Sequence, residues 1–469
     1  MRKVCRLAVL LAIVLFSLFL LVRLARELVP DDFTPNRFQL INKPPAAISP
    51  EYNTSKKIRR EPKITLTAVW GNRGSSITPG YMPHFFSSVE ANPQIDLLFI
   101  QIDAIGEGCP SYSHASNIQE LCLTPDEYYR LHVNFLCKRW LCTNEEKSIA
   151  FEHMKKMGKQ DPNFTFFRIL RGGVFAGFMD PSTTIWGWCD VDLVWGNLSR
   201  TFPWDVADNF DFFTVTGQPD FYHQRLLYLR GHMTFFQHSP EVLEKLHSYP
   251  KFTSLTSYLT LPPTLPDAEE SEFSHYVFSQ EQSLTFLTFE GTVNSYDTIL
   301  LSPRGSFYSY KRKENTTPEE RQRLAALARP SSKEQVLPTF SEEGDEETAI
   351  VIQGAEGYLG GLWIDRRYVQ YVETGWTDPP RREQKAYFMR RESFGPITQR
   401  LEPRARYLDR DGDLWVDECF YKHWQEEKRK AWFSRIPKSL GPGEILVQYG
   451  DEQIDVWNEF GDVLSSTAD

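Results

Sequence analysis

Two aspartates separated by one residue, Asp190 and Asp192, are the strongest candidates for chemistry in this sequence. They follow residues 183–189, an apolar and aromatic run that predicts a buried strand. Side chains two positions apart on an extended strand point the same way, so the two carboxylates can converge on one divalent cation. Oxygen ligands suit Mn²⁺ or Mg²⁺, and such ions leave positions open for phosphate oxygens. The pair therefore predicts a metal site that acts on a diphosphate leaving group, as in a nucleotide-sugar.

Trp70 and Asp103 are candidates for binding a donor nucleotide because each lies at the end of a predicted strand. In an α/β sheet, ligands bind in the crevice outside the carboxyl ends of the strands. Asp103 can hydrogen-bond a base or a ribose there. The alternative is that Asp103 is a turn residue that ends its strand.

His232 and Glu281 are candidates for the acceptor side. His232 follows a glycine and precedes an apolar strand, and its alternative role is that of a histidine satisfied by backbone hydrogen bonds. Glu281 is the candidate general base, because its position along the sequence suits that role best. In an inverting transfer, a carboxylate deprotonates the acceptor hydroxyl. Its alternative is a solvated position on a helix surface.

The composition limits the classes of protein that fit. The chain has 469 residues, 52 Lys plus Arg, 62 Asp plus Glu and a net charge of −10, so non-specific nucleic-acid binding is not expected. A hydrophobic content of 41% supports a packed core and excludes a mainly disordered chain. The length allows two domains or one elaborated domain, and a mixed α/β enzyme is the default.

The first thirty residues predict a membrane anchor. Residues 7–22 carry no charge, and basic residues flank the run on both sides. Arg23 and Arg26 follow the run, where a signal-peptidase site needs small neutral residues. The excess of positive charge before the run predicts a cytosolic tail at 1–6, a signal-anchor helix at 7–29 and a lumenal remainder in the Golgi or endoplasmic reticulum. A cleaved signal peptide and a secreted protein is the alternative.

In the lumen, cysteines can form disulfides and Asn-x-Ser/Thr sequons can be glycosylated. Closeness in sequence favours pairing of Cys109 with Cys122 and of Cys137 with Cys142, and the apolar surroundings of Cys189 predict a buried free thiol. No CxxC spacing occurs, so a zinc site is not expected. The Asn-x-Ser/Thr sequons are at Asn53, Asn163, Asn197 and Asn315.

The elements that would position the candidate residues begin near residue 63, after a proline-rich stem at 30–62. A strand at 64–69, a helix at 83–91 and a strand at 95–102 predict a β-α-β unit. The lumenal domain is expected to span 63–450, with loop insertions near 261–272 and 311–347. A helix is predicted at about 417–433, and the acidic tail at 451–469 is expected to fray.

The run Trp186-Gly-Trp-Cys-Asp-Val-Asp192, with Trp195-Gly-Asn197 and residues 224–234, resembles a fungal-type family of glycosyltransferases with a GT-A-like fold. The resemblance spans roughly residues 63–236. It implies a mixed central sheet flanked by helices, and transfer of a sugar from a nucleotide-sugar donor to a glycan, protein or lipid acceptor.

A weaker resemblance to the family at residues 421–428 implies that His423 is the remaining protein ligand of the metal ion and that Lys428 binds the diphosphate. The Lys-Pro pair of the family is replaced here by residues 168–173, in which Arg168 or Arg171 can reach a phosphate.

Two other functions fit parts of the sequence. A catalytically silent lumenal binding protein would keep the same fold without turnover. A haloacid-dehalogenase-like phosphatase also uses an Asp-x-Asp motif, with its first Asp as the nucleophile. That family usually carries the motif on its first strand, whereas at least two strands are predicted before Asp190.

Overall fold

The computed structural model describes most of the chain from residue 63 onward. The described residues are 63–72, 78–160, 166–202, 210–215, 224–227, 229–261, 270, 272–279, 284–289, 298–302, 305–309, 314, 316–328, 364–365, 371–378, 382–390, 406–408, 415–450 and 452–468. The predicted tail, anchor and stem lie outside them, as do Asn53, Asn163, Asn315 and Glu281. Among the described helices, none has both the length and the apolar character needed to cross a bilayer.

The described segments alternate between strands and helices in the first half and are mostly strands in the second half. The strands are β1 (Lys63–Asn72), β2 (Ile95–Asp103), β3 (Ile118–Leu123), β4 (Thr183–Cys189), β5 (Leu193–Trp195), β6 (Phe212–Val215), β7 (Gln224–Leu227), β8 (Met233–Gln237), β9 (Phe286–Phe289), β10 (Thr298–Ser302), β11 (Gly305–Ser309), β12 (Ile364–Asp365), β13 (Tyr371–Asp378), β14 (Arg382–Arg390), β15 (Arg406–Leu408), β16 (Trp415–Cys419), β17 (Tyr421–His423), β18 (Ile445–Tyr449), β19 (Gln453–Trp457) and β20 (Val463–Ser466). The α-helices are α1 (Met82–Glu90), α2 (Pro125–Trp140), α3 (Asn144–Gln160), α4 (Arg171–Val174), α5 (Leu198–Thr201), α6 (Pro240–His247), α7 (Leu255–Leu259), α8 (Glu272–Phe278) and α9 (Pro318–Ala328).

The central sheet has eight strands in the order β12-β9-β6-β8-β4-β1-β2-β3. Strand β1 pairs in parallel with β2 and β4, and β2 pairs in parallel with β3. Strand β8 runs antiparallel between β4 and β6. The carboxyl ends of β1, β2 and β4 therefore share one edge with the amino end of β8, and we call this edge the carboxyl edge. The predicted β-α-β unit and mixed sheet are confirmed.

Helices cover both faces of this sheet. Successive apolar side chains on its strands point to opposite faces, and each face needs a covering layer. On β2, Leu97 and Phe99 pack in a cluster with α1, whereas Leu98, Ile100 and Ile102 pack in a second cluster with α2 and α3. This period of two, along a strand that is buried at every position except the half-buried Asp96, is typical of a sheet covered on both sides.

Local signals fix the helix beginnings and the disulfides. Thr124 caps α2 with a capping box in which the side chains of Thr124 and Glu127 satisfy each other's backbone N–H groups. The disulfides Cys109–Cys122 and Cys137–Cys142 are present as predicted, and Cys189 is buried outside them.

A second sheet of seven antiparallel strands, in the order β15-β16-β11-β10-β18-β19-β20, was not predicted. The helix predicted at 417–433 is wrong, because this segment forms the end of β16, then β17, and two 3₁₀ turns at Glu427–Arg429 and Ala431–Arg435. Helix-forming Glu, Lys and Gln residues suggested a helix there, but pairing of β16 with β11 overrides that weak preference.

The prediction of a fraying tail is also wrong. Strands β19 and β20 lie in the second sheet, and Ile454, Val456 and Trp457 are buried. Helix α9 lies within the loop insertion predicted at 311–347.

Strands β5 and β17 form a short antiparallel ladder that ties the C-terminal segment to the residues after β4. Gly196, next to β5, accepts no larger residue, since an added Cβ would lie 1.8 Å from the carbonyl oxygen of Cys419. The Gly196 N–H donates to the carbonyl of Phe420 over 2.8 Å. A glycine thus permits the close approach of two backbones on which the site below depends.

Candidate functional site

Asp190 and Asp192 lie at the carboxyl edge, directly after β4. The Asp190 N–H donates to the carbonyl of His232, at the amino end of β8, over 2.9 Å. The Asp192 carbonyl accepts from the N–H of Trp424 over 2.9 Å. The backbone of the acidic pair is therefore held from both sides, by the central sheet and by the C-terminal segment.

The C-terminal segment brings two basic side chains to Asp192. In the β5–β17 ladder, His423 pairs with Leu193, so its ring lies beside the acidic pair. The Nε2 atom of His423 lies 3.4 Å from Oδ1 of Asp192. The ammonium of Lys428 contacts Oδ2 of the same carboxylate. The two residues that the family resemblance implied are thus the ones that the fold brings to Asp192.

Asp190, Asp192 and His423 together can hold a metal ion. Each offers one ligand atom, and the three atoms lie within 4.8 Å of one another. Two carboxylate oxygens and one imidazole nitrogen fit a divalent ion such as Mn²⁺, which accepts both kinds of donor. Three protein ligands leave further coordination positions for a substrate.

The two carboxylates have different surroundings. The side chain of Asp192 is 3% exposed and that of Asp190 is 32% exposed. Burial opposes ionisation of Asp192, but the hydrogen bond from His423 and the charges of His423 and Lys428 outweigh it and lower the pKa of Asp192. Asp190 pairs instead with the guanidinium of Arg168 over 2.5 Å. Both carboxylates are thus matched by cations.

Of the two arginines that could reach a phosphate, Arg168 pairs with Asp190. Arg171 is 1% exposed at the beginning of α4. Burial, opposed by the Tyr128 carbonyl and aided by the charge of Arg171, lowers the pKa of His132 to about 3. The charge of Arg171 thus acts on His132 in α2, and it also acts on Cys189 at the end of β4.

Trp70 and Asp103 lie at the carboxyl edge, where strand ends were expected to place them. Trp70 is partly buried and packs against the core cluster that contains α1. The carboxylate of Asp103 accepts hydrogen bonds from the N–H groups of Ile105, Gly106 and Gly108. Hydrogen bonds from this loop, led by that of Gly108, lower the pKa of Asp103. Asp103 thus shapes its own turn, which was the alternative weighed from the sequence.

His232 lies against the metal-binding group. Its ring stacks on that of His423 with centroids 4.2 Å apart and planes at 28°, and its Nε2 lies 2.7 Å from the hydroxyl of Tyr421. Burial, with the charges of His423, Arg230 and Arg168, holds the pKa of His232 well below its usual range.

Tyr81, just before α1, is a neighbour of the acidic pair that the sequence did not reveal. Burial, with the charges of Asp192 and Asp190, raises the pKa of its phenol far above the usual value. Its ring packs 6.0 Å from that of Phe433. No local motif marks this residue, since its proximity depends on the packing of α1 against the C-terminal segment.

Comparison with known proteins yields structural neighbours but no family. No protein-family model matches the chain, and no curated protein matches it. Apo mouse xyloside xylosyltransferase 1 matches at 11% identity and a TM-score of 0.27, over 49% of this chain and 84% of that one. An active-site mutant of LgtC matches at 14% identity and a TM-score of 0.20, over 37% of this chain and 57% of that one.

The galactosyltransferase LgtC in complex with donor and acceptor sugar analogues matches at 12% identity and a TM-score of 0.20, over 41% of this chain and 69% of that one. All three of these structures are of glycosyltransferases.

Proposed function

We propose that this chain is a metal-dependent glycosyltransferase with a GT-A-like fold that transfers a sugar from a nucleotide-sugar donor. The observation that carries the proposal is the convergence of Asp190, Asp192 and His423, with Lys428 beside them, at the carboxyl edge. That edge is where open α/β sheets bind nucleotides. The acceptor is proposed to be a glycan, a glycoprotein or a glycolipid.

The proposed chemistry requires charge neutralisation at the leaving group. A divalent cation, Mn²⁺ or Mg²⁺, would act there as a Lewis acid on the departing diphosphate. His423 favours Mn²⁺, because imidazole is a poorer ligand for Mg²⁺.

The chain supplies further positive charge close to the metal-binding group. The side chain of Lys428 is 34% exposed, so its ammonium can turn from Asp192 toward a phosphate oxygen. The guanidinium of Arg168 is next to Asp190 and can bind a second phosphate oxygen with its fork of donors. Trp70, Asp103 and Arg171 remain proposed donor-binding residues, and Glu281 remains the proposed base.

The proposed location is the membrane of the Golgi or the endoplasmic reticulum. It is based on the charge-free run at 7–22 and the arginines around it. The protein would be a single-pass type II protein with its catalytic domain in the lumen. The two disulfides are in keeping with an oxidising compartment.

Of the two other functions, the site disfavours the phosphatase, and only turnover tests the binding protein. The phosphatase alternative places its nucleophile on the first strand, whereas Asp190 follows β4 and is paired with Arg168. A silent binding protein could keep the same ligands, so only turnover separates it from an enzyme.

The test is release of nucleotide from a panel of sugar nucleotides by the full-length chain, purified in detergent, with Mn²⁺, with Mg²⁺ and with a chelator. We expect release from one donor in the presence of metal and none with the chelator. Asp192→Asn should reduce turnover by a factor of about 100 or more, since the amide keeps an oxygen atom but loses the negative charge that binds the metal ion. Asp126→Asn is the matched control, because Asp126 pairs with Lys155 on the surface.

Two outcomes count against the proposal. Turnover by folded Asp192→Asn at the wild-type level would refute the assignment of the metal site. Silence of the folded wild-type chain across the panel would favour the binding protein.

A further inference from the structure

His232 contacts both the acidic and the basic parts of the site. We propose that His232 is a positioning residue whose imidazole holds the ring of His423 in the orientation that binds the metal ion. This inference rests on the proposed function, because it takes His423 as a metal ligand. It differs from the acceptor-side role that the sequence suggested for His232.

The backbone of His232 is fixed relative to the acidic pair. Strand β8 begins at Met233, which pairs with Cys189, the last residue of β4. The carbonyl of His232 accepts the N–H of Asp190 over 2.9 Å. Any shift of His232 along the sheet edge would therefore also disturb Asp190.

The ring of His232 is fixed relative to His423. Tyr421 and His423 are two positions apart on β17, so their side chains share a face. The hydroxyl of Tyr421 lies 2.7 Å from Nε2 of His232, and the His232 ring lies along the face of His423 at 4.2 Å. Lys422, between them, faces the other way and pairs with Glu427. One side of β17 therefore holds the stacked pair, and the other side anchors the strand.

This geometry bears on metal affinity because a ligand histidine must be held in one orientation. A freely rotating imidazole loses side-chain entropy when it binds an ion, whereas a ring that is already held loses less. Partners outside the ligand shell usually orient histidines through a ring N–H, and their removal weakens metal binding about 10- to 100-fold. His232 instead contacts His423 through the face of its ring.

The test is the affinity of the full-length, chelator-stripped protein for Mn²⁺ alone, measured by isothermal titration calorimetry. His232→Ala removes the stacked ring, and His232→Phe keeps a planar ring without nitrogen atoms. His238→Ala is the matched control, because His238 flanks the opposite end of β8 and lies near the carbonyl of Thr183. His232→Leu, which fills the space without a planar ring, replaces the alanine variant if that variant unfolds.

We expect His232→Ala to weaken Mn²⁺ binding about tenfold. The phenylalanine variant should stay within about twofold of wild type, since an aromatic ring restores the stack. His238→Ala should bind like wild type.

Three results would overturn the inference. Equal affinity of wild type and His232→Ala would show that the stack does not position His423. Equal weakening by alanine and phenylalanine would assign the effect to the ring nitrogens. A folded wild-type protein that binds no Mn²⁺ would remove the proposed function as well, so the two failures are distinguishable.

Discussion

The two halves of the site differ in how the chain supplies them and in the charge they carry. The acidic half, Asp190 and Asp192, comes from two nearby positions after one strand. The basic half, His423 and Lys428, comes from a segment far along the chain, since Lys428 lies 236 positions after Asp192. The acidic half would be costly to bury alone, because Asp192 is almost fully enclosed. Each half thus needs the other for charge balance, and the two halves meet where β17 pairs with β5.

The basic half also contains a buried ion pair of its own. Lys422 and Glu427 lie 2.6 Å apart with side chains only 4% and 3% exposed. Gln448 donates to the same Glu427 oxygen over 2.9 Å and accepts from the indole N–H of Trp424 over 2.8 Å. This network underlies the strand that carries His423 and the turn that carries Lys428.

The largest expected effect is on stability, and it follows from removal of one partner of the buried ion pair in this network. Glu427→Ala leaves the buried Lys422 ammonium without its carboxylate, and we expect a loss of about 3–5 kcal/mol of unfolding free energy. Urea unfolding, followed by tryptophan fluorescence, measures it. The double variant Lys422→Met/Glu427→Leu should lose less, since no charge is then left unpaired.

The neighbouring residue provides the control for this prediction. Glu426 pairs with Arg429 on the surface, with both side chains more than half exposed. Glu426→Ala should therefore change stability by about 0.5 kcal/mol or less. Equal losses in the Glu426 and Glu427 variants would show that the buried network does not support the basic half.

A smaller effect is expected at the junction between the halves. Gly196→Ala would place a Cβ against the carbonyl of Cys419, and a backbone atom cannot move aside as a flexible side chain does. We expect a loss of about 1–3 kcal/mol and weaker Mn²⁺ binding, because β17 must shift away from β5. Gly177→Ala is the control, since nothing lies within 4 Å of its added Cβ. Wild-type Mn²⁺ affinity in Gly196→Ala would show that the register of this ladder does not set the site.

The acidic half could be predicted from sequence because its information is local. The strand predicted at 183–189 has the same bounds in the structure, and the carboxylates follow it directly. The β-α-β unit and the disulfides were likewise marked by short apolar runs and by nearby cysteines. Patterns of this kind depend only on neighbouring residues.

The basic half could not be predicted in this way. Strand β18 pairs with β10, which lies about 150 residues earlier, and no local pattern encodes that partner. The composition of the charged segment after Trp424 favours a helix. The backbone hydrogen bond from the Trp424 N–H to the Asp192 carbonyl and the burial of Phe433 hold this segment in short turns instead. His423 and Lys428 were found through the family resemblance, and Arg168 and His232 acquired their contacts only in three dimensions.

The smallest effect is expected at Arg168, and it sharpens the difference between the two carboxylates. The guanidinium pairs with Asp190, which is one of the three groups that could hold a metal ion, and its positive charge opposes the binding of a cation there. Removal of this positive charge in Arg168→Gln should therefore strengthen Mn²⁺ binding about two- to fivefold, or ~0.4–1 kcal/mol, as for a partly exposed pair. Turnover should fall in the same variant, because the diphosphate loses a charged hydrogen-bond donor, the guanidinium of Arg168.

Opposite changes in affinity and turnover separate this role from a structural one. Mn²⁺ titration and nucleotide release on the same preparation measure the two quantities, and Arg139→Gln is the control, since Arg139 pairs with Glu244 on the surface. Parallel loss of both quantities in Arg168→Gln would mean that Arg168 only holds Asp190 in place. Gain of affinity with loss of turnover would mean that Asp190 is the carboxylate shared between cation and substrate, while Asp192 stays bound to the basic half.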